Sequence, residues 1–288
     1  MTDPLISLGG FLDRLALSAV RLQGWKSRFI DTPDGHVHLF DIQGRGHLPP
    51  ILLLHGLGSR SADYALLIRR LKRLTRRLIV PDVPGHGLSR VPAGGLQPEM
   101  MESSLLSAVD EVLDEPAIFI GNSMGGLAAI RIARARPERV AAMVLASPGG
   151  APMDEHGIRE LLSIFKMKTH REALHFVDRM LGRPSLIRHL LAVGVRGRMN
   201  SQGPRELMSK ITPQHLLTPD ELERIQVPTL LFWGADDEVL PSRSLDFFRR
   251  HLPQHVVIET PARFGHSPFV DDLRGFSRRV ESFLREAL

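Results

Sequence analysis

The stretch that decides the fold is Ala117-Ile118-Phe119-Ile120-Gly121-Asn122-Ser123-Met124-Gly125-Gly126, which leads into the helix-favouring run 127–130. Its first four residues are apolar and predict a buried strand, and the Gly-x-Ser-x-Gly pattern predicts a tight turn into a helix. Gly121 and Gly125 let the strand and the helix pack closely. Such a turn exposes the Ser123 hydroxyl and directs the first helix amides toward an oxyanion. The alternative is a surface Gly-Ser turn without chemical function.

Strand and helix patterns flank this stretch on both sides. The segments 27–31 and 36–42 are β-like and are joined by the turn sequence Thr32-Pro33-Asp34-Gly35, which predicts a hairpin. Later strands are apolar runs, as expected for parallel strands covered on both faces, at 51–56, 78–80, 117–120, 140–146, 229–234 and 256–259. Helical patterns occur at 61–74, 98–113, 124–136, from 242 onward and at 271–287. This alternation predicts an α/β fold, a mostly parallel β-sheet with helices on both faces, whose ligands bind at the carboxyl ends of the strands.

The pattern changes between about Gly149 and Gln226, where strand-like runs give way to short helices broken at glycine and proline positions. The segment starts just after a strand end, so it would lie above the carboxyl edge of the sheet. We therefore expect a core over residues 1–148 and 226–288 and a helical cap, or lid, inserted at 149–225. Some apolar side chains of the cap would pack on the core, and the others would line a pocket.

Composition limits the classes of function. The 288 residues include no cysteine, which excludes disulfides and thiolate metal sites and indicates no oxidising compartment, so we expect a cytoplasmic protein. The net charge of +5 is carried mostly by scattered arginines, which favours a basic surface that tolerates anionic substrates or membranes over nucleic-acid binding. No apolar run approaches the roughly 20 residues that span a bilayer.

Residues 1–24 are expected to form an N-terminal amphipathic helix, because apolar residues recur at helical spacing across 5–22. A signal peptide is not expected, since Asp3 lies where basic residues would be needed, and Asp13 and Arg14 interrupt the apolar stretch. The helix either packs on the domain or lies in a membrane surface. In the second case the protein would be peripheral to the inner face of the membrane.

Two glycine-containing loops precede Ser123 in the chain. The first, His55-Gly56-Leu57-Gly58, folds back under the carboxyl edge of the sheet, which makes the Leu57 amide a candidate oxyanion donor. We expect His55 to be a structural, hydrogen-bonded histidine. The second loop contains Asp82 and His86, which could form a catalytic pair, but candidates in better positions follow later in the chain and favour a structural role for these two.

Three strand ends present a serine, an acid and a histidine. Ser123 follows one strand, Asp236 and Asp237 follow another, and His266 lies in the loop 263–268. A nucleophilic serine needs a base within hydrogen-bond reach and a carboxylate that holds the far nitrogen of that base. The chain order serine, aspartate, histidine is the one that the nucleophile elbow uses.

With these motifs in place, the chain resembles the α/β-hydrolase fold superfamily over nearly all of its length. In that family the acid lies three residues after the glycine that ends its strand, which implies Asp237, with Asp236 as the alternative. The resemblance also implies oxyanion donors at the backbone amides of Leu57 and Met124. It is carried by His55-Gly56-Leu57-Gly58, by Asp82-Val83-Pro84-Gly85-His86-Gly87-Leu88-Ser89, by Gly121-Asn122-Ser123-Met124-Gly125-Gly126, by Trp233-Gly234-Ala235-Asp236-Asp237 and by Gly265-His266.

Within the superfamily, the chain looks most like lidded bacterial carboxylesterases and monoacylglycerol-lipase-type enzymes. This resemblance implies a serine hydrolase with Ser123 as nucleophile, His266 as base and Asp237 as its orienting acid. The substrate would be a small-molecule or lipid-like ester with an apolar acyl or alcohol part. No cofactor, metal ion or nucleic-acid partner is expected, and the oligomeric state is left open.

A second function is compatible with the same residues. The Gly-Asn-Ser-Met-Gly-Gly elbow is also similar to that of meta-cleavage-product hydrolases, which cleave a C–C bond. Those enzymes usually have a tryptophan directly after the catalytic histidine, whereas this chain has Ser267. A non-catalytic binding protein on the same scaffold is the third alternative, and the complete set of catalytic residue types disfavours it.

Overall fold

The computed structural model describes Ser18 and residues 24–288, so the helix predicted at the N-terminus lies outside the described residues except for Ser18 and Gly24. The described chain forms an eight-stranded sheet. Among the described residues, no helix is long and apolar enough to cross a membrane. The strands are β1 (Lys26–Thr32), β2 (Gly35–Gln43), β3 (Ile51–Leu54), β4 (Arg77–Pro81), β5 (Ala117–Asn122), β6 (Val140–Ala146), β7 (Thr229–Phe232) and β8 (Val257–Glu259).

The strand order creates a crevice near the centre of the sheet. The order is β1-β2-β4-β3-β5-β6-β7-β8, in which β2 runs antiparallel to β1 and β4 and the other neighbouring pairs are parallel. The predicted mostly parallel sheet is therefore confirmed. The chain passes from β3 to β4 on one side and then returns to β5 on the other side of β3. The loops after β3 and β5 thus diverge at the carboxyl edge, where open α/β sheets bind their ligands.

Helices cover both faces of this sheet. α2, α3 and α9 pack on one face, and α1 and α11 pack on the other. Leu52 and Leu54 of β3 belong to the first apolar cluster, while Ile51 and Leu53 belong to the second, so a strand covered on both faces is apolar throughout. The helices are α1 (Ala65–Leu71), α2 (Pro98–Val112), α3 (Met124–Ala135), α4 (Glu155–Ser163), α5 (His170–Met180), α6 (Arg188–Met199), α7 (Gln202–Lys210), α8 (Pro219–Glu223), α9 (Ser242–His251), α10 (Pro268–Asp271) and α11 (Leu273–Ala287).

Two helices differ from their predicted extents. The helix predicted at 61–74 begins as a 3-10 turn, and its α-helical part is only α1. The closing helix predicted at 271–287 is divided into α10 and α11 at Asp272, whose φ of −143° is not helical. The Asp272 carboxylate accepts a hydrogen bond of 2.9 Å from the Gly275 amide. This side chain caps α11, and the chain therefore cannot continue straight from α10.

The chain between β6 and β7 is helical, as predicted, and contains α4 to α8. An apolar cluster that includes Phe165, Phe176 and Met199 holds α4 to α7 together and also includes Val239 and contacts Leu57, in the loops after β7 and β3. Leu222 of α8 packs in the first apolar cluster instead. The division between core and cap at 149–225 stays a prediction.

The turn between β5 and α3 brings three backbone segments into direct contact. A Cβ atom at Gly121 would lie 2.3 Å from the Gly125 carbonyl oxygen, and one at Gly125 would lie 2.2 Å from the Leu54 carbonyl oxygen. Real side chains do not approach backbone atoms so closely. The two glycines are therefore required by packing, as the sequence predicted.

Replacing Gly125 with alanine should destabilise the fold by about 3 kcal/mol or more, because the added methyl group forces β3 and α3 apart. Urea unfolding of the purified variant measures this loss. The matched control is Gly197→Ala in α6, where an added Cβ meets no atom within 4 Å. That change should leave stability equal or raise it by up to about 1 kcal/mol through helix propensity. Equal effects of the two substitutions would contradict the packing argument.

Candidate active site

Ser123 occupies a strained backbone conformation at the turn between β5 and α3. Its φ of 54° and ψ of −119° lie in a region that residues with a side chain rarely adopt. Hydrogen bonds on both sides hold it there: the Ser123 amide donates to the Ala146 carbonyl at 3.1 Å, and the Ser123 carbonyl accepts from the amides of Gly126 and Gly149, each at 2.9 Å. The turn is thereby fixed by β6 and by the loop after it.

Two backbone amides near Ser123 are available to a ligand. Within the described part of the chain, neither the Leu57 amide nor the Met124 amide donates a hydrogen bond to a protein group. A Cβ at Gly56 would lie 3.2 Å from the Ser123 Cβ, so the loop that contains Leu57 passes directly beside the serine. The sequence assigned both amides as oxyanion donors, and their free N–H groups are suited to that use.

His266 and Asp237 form a buried hydrogen-bonded pair. The two groups meet at 2.8 Å through His266 Nδ1 and Asp237 Oδ2, and the other carboxylate oxygen accepts from the amides of Val239 and Leu240. Burial raises the pKa of Asp237, but the charge and hydrogen bond of His266 outweigh it, and the pKa is lowered overall. Because Nδ1 carries the proton shared with Asp237, Nε2 is left as the acceptor.

The other aspartate has a different partner. Asp236 Oδ2 accepts a hydrogen bond of 2.6 Å from the Arg263 amide, so it fixes the loop that precedes His266 rather than the imidazole itself. Asp237 is thus the aspartate that contacts His266. Within the described residues no hydrogen bond joins Ser123 Oγ to the imidazole of His266.

The residue next to the serine ties the two loops together. The Asn122 side-chain amide donates to the backbone carbonyls of Ala146 and His266, each at 2.9 Å. This link fixes the histidine loop relative to the turn that contains Ser123. Sequence reasoning did not single out Asn122, although its position directly before the serine was a signal.

The end of α5 contacts both the loop of Asp237 and the loop of His266. The His266 amide donates to the Met180 carbonyl at 2.8 Å, and the Glu238 amide donates to the Arg179 carbonyl at 3.2 Å. The Asp271 carboxylate accepts from the amides of Gly182 and Gly265, at 2.9 and 2.7 Å. Burial raises the pKa of Asp271 even though these two amides partly offset the increase. No sequence pattern indicated this clamp, because it depends on three segments far apart in the chain.

Two of the polar residues that could have formed a second site, His55 and Asp82, are held by hydrogen bonds within the protein, whereas the buried Nε2 of His86 has no hydrogen-bond partner among the described residues. His55 bonds at both ring nitrogens, to the Gly56 carbonyl at 2.9 Å and to the Val83 amide at 3.0 Å. Asp82 pairs with His38 at 2.8 Å and accepts from the amides of Ser61 and Leu88. His86 Nδ1 contacts the Pro84 carbonyl at 3.1 Å.

An apolar cavity of about 160 Å³ opens at Ser123, Met124 and Leu57. Its other walls come from α2, α3, α4 and α7, and most of its lining is aliphatic or aromatic. The cationic residue Arg131 in the wall is paired with Glu102 at 3.4 Å and with Glu221 at 3.3 Å. The cavity is therefore suited to an uncharged, apolar group.

Stability should fall as the pH drops below about 6.5, because burial holds two histidines neutral in the native state. Burial lowers the pKa of His86 to about 3 and also lowers the pKa of His55. The unfolded chain binds these protons near its ordinary histidine pKa of about 6.5, so unfolding is favoured between that pH and about 3. Thermal unfolding of His86→Gln should show a shallower decline between pH 7 and pH 5 than the unmodified protein. Equal losses of thermal stability in the two proteins would show that His86 does not contribute to the pH dependence of stability.

The comparisons with known proteins agree with this fold. The chain is 27% identical to a 2-hydroxy-6-oxononadienedioate/2-hydroxy-6-oxononatrienedioate hydrolase of Cupriavidus pinatubonensis, over 90% of this chain and 95% of the relative. It is 28% identical to an sn-1-specific diacylglycerol lipase of Mus musculus, over 84% of this chain and 83% of the relative. A carboxylesterase structure from Bacillus subtilis covers 99% of this chain and is itself covered completely (100%), with a TM-score of 0.80 and 22% identity.

The family model extends over most of the chain. It matches residues 51–279, which include β3 to β8, the Ser123 turn and the loops of Asp237 and His266. The relatives in the preceding paragraph are all hydrolases, and their alignments cover most of both chains. The protein is a hydrolase and belongs to the alpha/beta hydrolase family.

Proposed function

We propose that the protein is a serine hydrolase that cleaves carboxylic esters with an apolar acyl or alcohol part. The observation that supports this most is the position of Ser123, in a strained turn at an apolar cavity and beside two amides that donate to no protein group in the described part of the chain. An ester bound there presents its carbonyl carbon to a nucleophile and its carbonyl oxygen to hydrogen-bond donors. The apolar walls accept the hydrocarbon part.

The reaction follows from these positions. Ser123 Oγ attacks the ester carbonyl while His266 Nε2 takes the hydroxyl proton, and the Leu57 and Met124 amides stabilise the oxyanion. His266 then protonates the leaving alcohol, and an acyl-enzyme remains. A water molecule, deprotonated by His266, releases the acid. Asp237 holds the imidazole in the required tautomer and stabilises its charged form. The Oγ–Nε2 hydrogen bond would form by rotation of the serine side chain when substrate binds.

Hydrolysis of a C–C bond is the second candidate, favoured by the similarity to the hydrolase of Cupriavidus pinatubonensis. The name of that enzyme's substrate denotes a dicarboxylate. The cavity at Ser123 is mostly apolar, and Arg131 in its wall already has carboxylate partners, so we prefer the ester. Parallel turnover measurements with a dienoate and with a p-nitrophenyl ester separate the two, because each candidate predicts a preference for its own substrate.

Ser123 should be the residue that a fluorophosphonate probe labels, because attack by the probe requires an activated hydroxyl and oxyanion donors. Site mapping by mass spectrometry measures this, and Ser123→Ala should abolish labelling together with ester turnover. Ser27→Ala is a demanding control, because Ser27 Oγ lies 2.8 Å from His38 Nε2 of the buried His38–Asp82 pair. That variant should be labelled normally. Labelling at Ser27, or an unlabelled Ser123, would refute the assignment.

Asp237→Asn should reduce kcat for an activated ester by about 10⁴-fold while protein stability changes little, because the asparagine favours the wrong imidazole tautomer. Asp236→Asn provides a matched control one residue away, since Asp236 contacts the Arg263 amide and not His266. We expect its kcat to stay within about threefold of the unmodified protein, in line with a role that does not touch the base. A larger loss for Asp236→Asn than for Asp237→Asn would reverse the assignment of the acid.

A further inference from the structure

A second cavity, of about 610 Å³, lies in the cap between α4, α7 and the loop that joins α4 to α5. We call it the cap vestibule. Its volume falls within the range of about 300–1,000 Å³ that is usual for small-molecule sites. The charged side chains in its lining are four cations and one anion, namely Arg159, Lys166, Lys168, Arg205 and Glu155.

Among the described residues, three of the four cations form no ion pair. Arg159 pairs with Glu155 at 3.4 Å. In the described part of the chain, the side chains of Lys166, Lys168 and Arg205 form no hydrogen bond or ion pair with a protein group. The Glu172 carboxylate, which accepts from the amides of Lys168 and Thr169, lies near Lys168 and offsets part of its charge. With four cations and one anion in its lining, the vestibule still has a net positive charge.

The cap vestibule is adjacent to the apolar cavity at Ser123. Four apolar residues, Ile158, Leu162, Phe165 and Ile211, line both cavities. These shared residues place the cationic space directly beside the apolar space. A ligand with one anionic end and one hydrocarbon chain matches this combination, because the anionic end can bind the cations and the hydrocarbon chain can contact the apolar walls.

We propose that the cap vestibule binds the phosphate group of an amphiphilic substrate whose apolar chain occupies the cavity at Ser123. This inference rests on the proposed ester hydrolysis, and it narrows the substrate class to phosphate-bearing acyl esters. Phosphate fits better than carboxylate, because a dianion balances more of the charge from Lys166, Lys168 and Arg205. Lysine binds phosphate as a point charge and arginine through paired N–H groups.

The test measures binding rather than turnover, and uses the full-length Ser123→Ala protein. Isothermal titration calorimetry compares decyl phosphate, decanol and inorganic phosphate, with the two amphiphiles below their aggregation concentrations. Decyl phosphate should bind at least about tenfold more tightly than either decanol or inorganic phosphate, because it alone satisfies both cavities. If inorganic phosphate bound as tightly as decyl phosphate, the proposed role of the hydrocarbon chain would be refuted. If decanol bound as tightly as decyl phosphate, the proposed role of the phosphate charge would be refuted.

A triple charge reversal tests the residues themselves. Lys166→Glu/Lys168→Glu/Arg205→Glu should weaken decyl phosphate binding by about tenfold or more and leave decanol binding unchanged, since only the anionic end loses its partners. The control Lys26→Glu/Arg73→Glu/Arg250→Glu makes the same change in net charge outside the vestibule and should leave both affinities unchanged. Equal losses for the two triple variants would refute a local phosphate site.

Two further measurements keep the result decisive. Raising the salt concentration from about 0.05 to 0.5 M should weaken decyl phosphate binding to the Ser123→Ala protein several-fold and leave decanol binding unchanged. This measurement does not depend on whether the charge-reversed variant folds. Salt-independent binding would contradict the proposal. Ester turnover by the protein with Ser123 intact is assayed separately with a neutral p-nitrophenyl ester. Failure of that assay would overturn the proposed chemistry, whereas failure of decyl phosphate binding would overturn only the vestibule.

Discussion

The close approach of β3, β5 and α3 is the constraint on which the rest of the site depends. Backbone atoms of Leu54, Gly121 and Gly125 lie where side chains would otherwise be, so the chain must reverse sharply between Asn122 and Met124. The energetic cost of this reversal is concentrated on Ser123, which is driven to positive φ. Packing of the sheet against α3 therefore places Ser123 in the turn beyond the end of β5. In the described part of the chain, the Met124 amide at the start of the helix donates to no protein group.

The site is assembled mainly by backbone hydrogen bonds between loops. Non-glycine residues with positive φ in the described chain are Ser123, Ser147 and Arg263, which lie in the loops after β5, after β6 and before His266. The Asn122 side-chain amide joins the end of β6 to the His266 loop. The Met180 carbonyl and the Asp271 carboxylate join the His266 loop to the end of α5. Asn122 and the end of α5 thus both hold the histidine loop, and movement of α5 would alter both the Asp237 loop and the His266 loop.

Much of the fold was predictable because its signals are local. The apolar run of β5, the two glycines and the helix-favouring residues after Ser123 specify strand, turn and helix within a few positions. The division of the last helix at Asp272 was missed, because a capping aspartate inside a helical pattern looks like an exposed helix residue. The hydrogen bonds of Asp271 to Gly182 and Gly265 and the cap vestibule could not be predicted from the sequence either, since they form only when segments distant in the chain meet. The choice of Asp237 over Asp236 came from family resemblance, and only the observed contact with His266 gives it a physical basis.

Ser27 and Ser123 each lie near a histidine–aspartate pair, and the comparison of these two serines shows what a nucleophile requires. Ser27, His38 and Asp82 form a continuous hydrogen-bonded chain, with 2.8 Å at each step. Yet Ser27 lies within the regular β1–β2 ladder opposite Phe40, a position without backbone strain. Ser123 has no such completed chain, but it has a strained turn, an apolar cavity and two free amides. Stabilisation of the oxyanion usually contributes most to the catalysis of acyl transfer, so these features outweigh the continuous hydrogen bonds of Ser27, His38 and Asp82. We therefore assign the proposed chemistry to Ser123.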